Sequence, residues 1–178
     1  MRFFRDSTPI NLPISMAGIT IGNRLLVVGC GDPLLLAALA VKTGLTGRAC
    51  AVDASEPRCT RAAAIAEREG ALVESFTAPW DALPFENDAF DVAIVRDVVQ
   101  HLDDPTRVRC FAEIRRVLRK GGRLVTIVGR SGGLFKSAGP AGTDLVRALE
   151  AAGFRAARTL AERGGQLFVE GVRGTESP

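Results

Sequence analysis

The stretch Arg24-Leu25-Leu26-Val27-Val28-Gly29-Cys30-Gly31 is an apolar run that ends in two glycines and leads into a second apolar run, LLLAALA, at residues 34–40. This pattern predicts a buried strand, a tight turn and a helix. A glycine turn lets the backbone approach a ligand closely, and free N–H groups at the start of the helix favour an anionic group there. The turn is therefore a candidate ligand-binding element.

The same alternation of strand and helix continues downstream. Four further runs predict strands: residues 48–52, 71–76, 90–95 and 123–128. A helix is expected to begin at Ser55 and Pro57 and to end at Gly70. Another is expected from an N-cap at Asp104, with Pro105 in its first turn, to Gly121-Gly122. Residues 77–88 predict an irregular connection.

Repeated units of this kind specify a mostly parallel sheet with helices on both faces, because right-handed crossovers place a helix over each strand pair. The tail departs from the rule. After a predicted helix at 143–152, the runs 154–160 and 166–172 are separated by Glu162-Arg163-Gly164-Gly165, which predicts a hairpin and an antiparallel last strand. The glycine-rich segment Gly129 to Gly142 is expected to be mobile. The predicted fold is a doubly wound, Rossmann-like α/β sheet with ligands beyond its carboxyl edge.

Length and composition fit one globular domain. The chain has 178 residues, 47% hydrophobic and 24% charged, which suits one core and is too short for two ordinary domains. Residues 1–178 are expected to form that domain, with residues 1–20 as an N-terminal extension or helix. The net charge of +3, without a block of five like charges, does not favour nucleic-acid binding. The basic run 115–120 is expected at a helix C-terminus, where the macrodipole favours cations.

Cysteine usage argues against metal and disulfide sites. The four cysteines lie far apart and the chain has one histidine, so we expect neither a bound metal nor a disulfide framework. The first residues lack the apolar core of a signal peptide, and no run approaches the ~20 apolar residues of a membrane span. The expectation is a cytoplasmic protein that does not associate with membranes.

Asp53 is the second candidate ligand-binding residue. It follows the second predicted strand, about twenty residues after Gly31, where a carboxylate can accept both hydroxyls of a ribose. Two glycines in a turn are common, and an aspartate before Ser55 could simply cap a helix. Placed on consecutive strand–helix units at this spacing, the glycines and Asp53 together indicate an adenosine-type ligand.

Several segments resemble the UbiE/COQ5-type, or type 11, class I S-adenosylmethionine methyltransferases over about residues 20 to 130. They are LVVGCG (26–31), AVDAS (51–55), LPF (83–85) with FDV (90–92), and EIRRVLRKGGRL (113–124). The resemblance implies the strand order 3-2-1-4-5-7-6 with the seventh strand antiparallel. It also implies S-adenosylmethionine as cofactor and S-adenosylhomocysteine as product.

The resemblance also implies roles for individual residues. It places Gly29, Cys30 and Gly31 at the methionine and ribose parts, Asp53 at the ribose hydroxyls, Ala54 on one adenine face, Trp80 and Asp81 at the adenine edge, and Arg96 beside the methyl group. Three positions depart from the family pattern: Val27 replaces an acid, Pro33 a glycine and Pro79 an Asp or Asn. These changes remove polar partners for the ligand.

Methyl transfer from a sulfonium needs mainly proximity and orientation, because the donor already carries the activating charge. A base helps where the acceptor must lose a proton. His101 matches a histidine common in the family after strand four, and Asp97 is the second candidate. His101 could instead be bonded locally before the Asp103-Asp104 turn. Trp80 could stack on a ligand or cover the core edge, and Cys30 is expected to act as a small buried residue.

Three functions compete at this stage. A small-molecule methyltransferase is favoured, because residues 96–99 lack the Asp/Asn-Pro-Pro-Tyr/Phe motif of nucleic-acid amino methyltransferases and no Pro-Cys pair marks a cytosine C5 enzyme. The alternative is a cofactor-binding or catalytically silent, methyltransferase-like protein that works through a protein partner or as a homo-oligomer. The departures from the family pattern and the short chain favour it. A nicotinamide dehydrogenase module explains the glycine turn and Asp53 but not the LPF segment, and the third glycine is missing.

Overall fold

The structure is a computed structural model that describes residues 8–129 and 139–175. Most of the segment Gly129 to Gly142, which we expected to be mobile, lies outside the described residues. In the described ranges the strands are β1 (Arg24–Val28), β2 (Arg48–Asp53), β3 (Glu74–Thr77), β4 (Phe90–Arg96), β5 (Leu118–Gly129), β6 (Phe154–Arg163) and β7 (Gln166–Arg173). The helices are α1 (Thr8–Ala17), α2 (Pro33–Thr43), α3 (Glu56–Arg68), α4 (Asp104–Val117) and α5 (Gly142–Ala151), with a 3-10 turn at Val99–His101.

All seven described strands form one sheet in the order β3-β2-β1-β4-β5-β7-β6. Strands β1 to β5 pair in parallel, whereas β7 is antiparallel to both β5 and β6. The predicted doubly wound sheet, its strand order and its antiparallel last strand are therefore confirmed.

Each face of the sheet carries its own hydrophobic core. Along β1, Leu26 and Val28 pack with α4 and α5, while Leu25 and Val27 pack with α1, α2 and α3. Successive side chains of a strand point to opposite faces, so a short apolar run such as β1 can feed both cores. None of the helices in the described part of the chain is long and apolar enough to cross a membrane.

The structure corrects two predicted helix ends. The N-cap of α4 is Asp103 rather than Asp104, because the Asp103 carboxylate accepts the N–H of Thr106 at 2.8 Å. The other end is Val117, so Gly121-Gly122 lies within β5 instead of ending the helix. The pairing of β4 with β5 shifts register across this stretch, and a Cβ on Gly122 would lie 2.7 Å from the Arg119 carbonyl oxygen. The glycines accommodate a bulge.

Smaller differences follow from these boundaries. β3 begins at Glu74 rather than at residue 71, and the basic run 115–120 is divided between the last turn of α4 and the start of β5. The predicted hairpin between β6 and β7 is present, with a loop reduced to Gly164-Gly165. Both loop glycines have positive φ, as a type I′ turn requires.

An ion-pair network at the amino edge of the sheet ties three strands together. The carboxylate of Asp91 in β4 accepts the Arg24 backbone N–H at 2.7 Å, the Arg24 guanidinium at 3.1 Å and the Arg119 guanidinium at 2.7 Å. Burial alone would raise the pKa of this carboxyl, but the hydrogen bonds from Arg24 and Arg119 outweigh it and lower the pKa to about 2.

This network predicts an acid-sensitive contribution to stability. Because the pKa of Asp91 is depressed in the folded protein, its contribution is complete above the usual value of 3.8 and is lost as the pH falls through about 2. Asp91→Asn is expected to lower the free energy of unfolding by about 2 kcal/mol at pH 7. In urea denaturation, the difference in unfolding free energy between wild type and variant should disappear between about pH 4 and pH 2. A difference that persists in acid would contradict the role given to the Asp91 carboxylate.

Candidate functional site

The carboxyl ends of β1, β2 and β4 meet at the turn after β1. Gly29 donates its N–H to the Val52 carbonyl oxygen at 2.9 Å and has φ +101°. A Cβ at this position would lie 2.4 Å from the Arg96 carbonyl oxygen and 2.8 Å from Cγ2 of Val98. Only glycine lets the turn pass this close to the end of β4.

Asp53 and the glycine turn are joined directly. The Cys30 N–H donates to Oδ2 of Asp53 at 2.9 Å, and Oδ1 accepts the Ser55 N–H at 2.9 Å. The Asp53 side chain is 3% exposed. The predicted convergence of the turn and this carboxylate at one edge of the sheet is thus present in the structure.

A cleft of about 310 Å³ opens at this edge, and we call it the carboxyl-edge cleft. It is lined by Gly29, Gly31, Asp53, Arg58, Trp80, Arg96, Asp97, Val98, His101 and Leu102. Seven of these residues are sequence-predicted site residues. Trp80 is half-buried and packs against the core while also lining the cleft, so it serves the core edge and remains available to a ligand.

Three predicted cofactor residues do not line this cleft with their side chains. The Cys30 side chain is buried, and burial is the main reason that its pKa is raised to about 12, which keeps the thiol protonated and unreactive. Ala54 is exposed beside Asp53. Asp81 pairs with Arg109 of α4 at 3.3 Å. The roles that the resemblance implies for Cys30, Ala54 and Asp81 remain predictions.

The three departures from the family pattern fit the local structure. Val27 is buried in the core under α2, and Pro33 occupies the first turn of that helix, where a missing N–H costs little. The helix is capped instead by Asp32, whose carboxylate accepts the Leu35 N–H at 3.1 Å. Pro79 is exposed in the loop before Trp80.

The LPF segment at residues 83–85 is held by residues of the EIRR motif, which lies in the last turns of α4. The Glu113 carboxylate accepts the Leu83 N–H at 2.9 Å, and Arg116 donates to the carbonyl oxygens of Leu83 and Phe85. Glu113 and Arg116 also pair with each other at 2.8 Å. These contacts anchor the loop that carries Trp80, so the two sequence motifs form one structural clamp.

Arg96 lies between two acids on the floor of the cleft. Its Nε is 3.0 Å from Oδ2 of Asp97, at ion-pair distance but without hydrogen-bond alignment, and its Nη2 is 3.6 Å from Oδ2 of Asp32. Its buried Nη1 has no hydrogen-bond partner in the described ranges. Among the charged residues that line the cleft, Asp53 and Asp97 are balanced by Arg58 and Arg96.

The two predicted catalytic residues lie in different surroundings. Asp97 accepts the Gly129 N–H at 2.7 Å and the Gln100 amide at 3.1 Å on one oxygen and faces Arg96 on the other. It also has φ +51°. His101 is exposed, and no described residue makes a hydrogen bond to its imidazole. The local bond considered for His101 is therefore not seen in these ranges.

A second, more open recess of about 500 Å³ adjoins the carboxyl-edge cleft, and we call it the hairpin recess. It shares Arg96, Asp97 and His101 with the cleft and extends to the β6–β7 loop. The remaining described lining residues are Gln100, Gly129, Gly164, Gly165 and Gln166. His101 thus faces both spaces.

Sequence reasoning missed two charged residues. Arg58 covers Asp53, with Nε and Nη2 at 2.9 and 2.7 Å from Oδ1, and Asp32 pairs with Arg96. Asp32 could have been found as a polar residue directly before Pro33, a usual helix-cap signal. Nothing in the periodicity of α3 marks Arg58 as a cleft residue.

Other parts of the structure are less suited to a nucleoside. A groove of about 570 Å³ lies at the amino ends of β2 and β3, and its charged residues, Arg48 and Glu74, pair with each other. Among the described residues there is no group of three potential metal ligands. The carboxyl-edge cleft does fit an adenosine-type cofactor: a Cβ on Gly31 would meet nothing within 4 Å, which leaves an open cradle beside Asp53.

The chain is similar to known methyltransferase domains. Residues 26–126 match the family described as a methyltransferase domain. The chain is 38% identical over 104 residues to an uncharacterized 37.1 kDa protein in transposon TN4556 of Streptomyces fradiae, covering 58% of this chain and 29% of that protein. It is 33% identical over 106 residues to the methyltransferase GfsG of Streptomyces halstedii, covering 60% of this chain and 37% of that one.

The chain thus spans about a third of the length of these curated relatives. A SAM-dependent methyltransferase structure from Aquifex aeolicus shares the fold, with 21% identity, a TM-score of 0.80 and coverage of 92% of this chain and 89% of that one. These matches confirm the predicted resemblance and, with it, S-adenosylmethionine as the family's cofactor. Because the family match covers more than half of the sequence, this chain belongs to the methyltransferase domain family.

Proposed function

We propose that this protein transfers a methyl group from S-adenosylmethionine to a small molecule that carries a hydroxyl or an amine. The single observation that carries the proposal is the hydrogen bond between the Cys30 N–H and the Asp53 carboxylate, which closes the glycine turn onto the residue expected to bind ribose. S-adenosylmethionine supplies an activated methyl group when bound. The chain's own residues have to bind it, orient the acceptor and accept a proton.

Binding would fall to residues at the carboxyl-edge cleft. Asp53 would accept the ribose hydroxyls, and the backbone at Gly31 leaves room for the ligand to approach. Trp80 offers an aromatic face for the adenine. Arg96 lines the same cleft, where the resemblance places it beside the methyl group.

The acceptor would enter through the hairpin recess. This space adjoins the carboxyl-edge cleft, with which it shares Arg96, Asp97 and His101, and its described lining is polar. His101 lies on both, so its imidazole can reach an acceptor group that approaches the methyl. Asp97 is less suited to take a proton, because its oxygens already accept from Gly129 and Gln100 and face Arg96. We therefore infer that His101 is the base and that Asp97 positions the ends of β4 and β5.

His101→Asn tests this division of roles. We expect kcat to fall about tenfold, below the 10² to 10⁴ usual for general bases, because an exposed site lets water take part of the proton transfer. The dissociation constant for S-adenosylhomocysteine should not change. Steady-state kinetics and calorimetry measure the two quantities. An unchanged kcat would mean that His101 is not the base.

The proposed function itself is tested by a screen. The protein is incubated with S-adenosylmethionine and a mixture of small metabolites, and mass spectrometry identifies any that gain a methyl group. Calorimetric titrations with S-adenosylmethionine, S-adenosylhomocysteine and NAD accompany the screen. Binding of NAD alone would favour the dehydrogenase hypothesis. Absence of binding by all three ligands would favour the silent alternative.

The silent alternative has its own support in the site. The family's usual polar groups are replaced at Val27, Pro33 and Pro79, and Arg58 occupies the carboxylate that should receive the ribose. Such a protein would act through a protein partner or as a homo-oligomer. Measured affinity for S-adenosylhomocysteine separates the two functions, because a silent protein of this kind would bind it weakly or not at all.

A further inference from the structure

We propose that the guanidinium of Arg58 competes with the ribose for Asp53, so that cofactor binding requires the Arg58–Asp53 ion pair to open. The inference rests on the proposed function, in that it takes Asp53 as the ribose-binding residue. It goes beyond that function by assigning a role to a residue of α3 that neither the sequence motifs nor the family match identifies.

The first step is the geometry of the pair. Both Nε and Nη2 of Arg58 donate to Oδ1 of Asp53, at 2.9 and 2.7 Å. The Asp53 side chain is 3% exposed and the Arg58 side chain is 54% exposed. Arg58 also lines the carboxyl-edge cleft. The guanidinium therefore covers the carboxylate from the side on which a ligand would arrive.

The second step is a count of hydrogen bonds. Four N–H groups donate to Asp53, two from Arg58 and one each from the backbone of Cys30 and Ser55. A carboxylate offers about four acceptor sites. Three of these donors share Oδ1 and one donates to Oδ2, so Oδ2 keeps an open position, whereas Oδ1 cannot accept a second ribose hydroxyl until donors leave it.

The third step identifies which donors can leave. The N–H groups of Cys30 and Ser55 belong to the backbone that follows β1 and β2, and moving them would disturb the turn and the start of α3. Arg58 contributes a long, half-exposed side chain whose guanidinium can move into solvent. Its release leaves Ser55 as the single donor to Oδ1 and Cys30 as the single donor to Oδ2, so that each oxygen can accept one ribose hydroxyl. Because the Arg58 side of the pair is 54% exposed, water can replace the carboxylate around the guanidinium, and we expect opening the pair to cost about a few-fold in an equilibrium constant.

The expected result is that removing Arg58 tightens binding. In calorimetric titrations, Arg58→Ala should bind S-adenosylhomocysteine about two- to fivefold more tightly than wild type, the range set by exposed ion pairs. S-adenosylhomocysteine is the better probe because it has no net charge, so deleting a cation does not attract it electrostatically. Arg61→Ala, an exposed arginine on the same helix, is the matched control and should bind like wild type.

Ionic strength gives an independent readout. Salt screens an exposed ion pair, so the affinity of wild type should rise towards that of Arg58→Ala between about 0.05 and 0.5 M salt, while the variant changes little. Unchanged binding by Arg58→Ala, with wild type binding normally, would show that Arg58 does not compete with the ligand. Weaker binding would show that Arg58 helps to hold the ligand in the complex. If wild type, Arg58→Ala and the Arg61→Ala control all fail to bind S-adenosylhomocysteine, the proposed ligand site is wrong, and so is the competition that rests on it.

Discussion

Gly29→Ala is expected to lower the free energy of unfolding by about 3 kcal/mol or more, a large part of the 5 to 15 kcal/mol typical of a domain. Two effects add up. A non-glycine residue at φ +101° costs roughly 1 to 3 kcal/mol in backbone strain. The new Cβ would also lie 2.4 Å from the Arg96 carbonyl oxygen, which forces β1 and β4 apart, and overpacking of this kind costs about 1 to 3 kcal/mol.

Gly31→Ala is the matched control, because Gly31 lies in the same turn but has free space where a Cβ would be. Gly31 is exposed, and a Cβ there would meet no atom within 4 Å. The variant should unfold at the wild-type urea concentration but bind S-adenosylhomocysteine at least about tenfold more weakly, because the methyl group occupies the space left for the ligand. If Gly29→Ala unfolds at the wild-type midpoint, the close approach of the turn to β4 is wrong.

The sequence was sufficient for the sheet because its strands are short apolar runs separated by amphipathic helices. The errors in the fold concern residues whose local meaning is ambiguous. Gly121-Gly122 can end a helix or permit a bulge, and the pairing of β4 with β5 decides for the bulge. Asp103 and Asp104 are two consecutive aspartates before Pro105. Either could cap α4, because proline is accepted in the first turn of the helix in both cases.

The candidate site divides in the same way. Asp53 and the glycine turn could be brought together from sequence, because the carboxyl ends of neighbouring parallel strands meet at one edge. The pairing of Asp32 and Asp97 with Arg96, and of Arg58 with Asp53, could not be predicted from the sequence. Their positions depend on side-chain conformations of residues on different elements, and neither hydrophobic periodicity nor turn chemistry reports such conformations.

Asp53→Ala is expected to weaken the binding of S-adenosylhomocysteine by roughly 1.5 to 3 kcal/mol, the range for hydrogen bonds to a charged group. This corresponds to a loss of affinity of about 10- to 100-fold. The variant should also lose about 1 to 3 kcal/mol of stability, because the N–H of Cys30 is left without its acceptor in a buried position. Calorimetry measures the first effect and urea denaturation the second.

Glu74→Ala separates the loss of a ligand-binding carboxylate from the loss of a carboxylate–arginine pair. Glu74 pairs with Arg48 through two hydrogen bonds, at 2.8 and 2.9 Å, at the amino edge of the same sheet. Both side chains are about half exposed, so the variant should lose no more than about 1 kcal/mol of stability and keep its affinity for S-adenosylhomocysteine.

Asp53→Asn, which retains one carbonyl oxygen, should bind S-adenosylhomocysteine with intermediate affinity. An unchanged dissociation constant in Asp53→Ala would show that the ribose does not bind at this carboxylate.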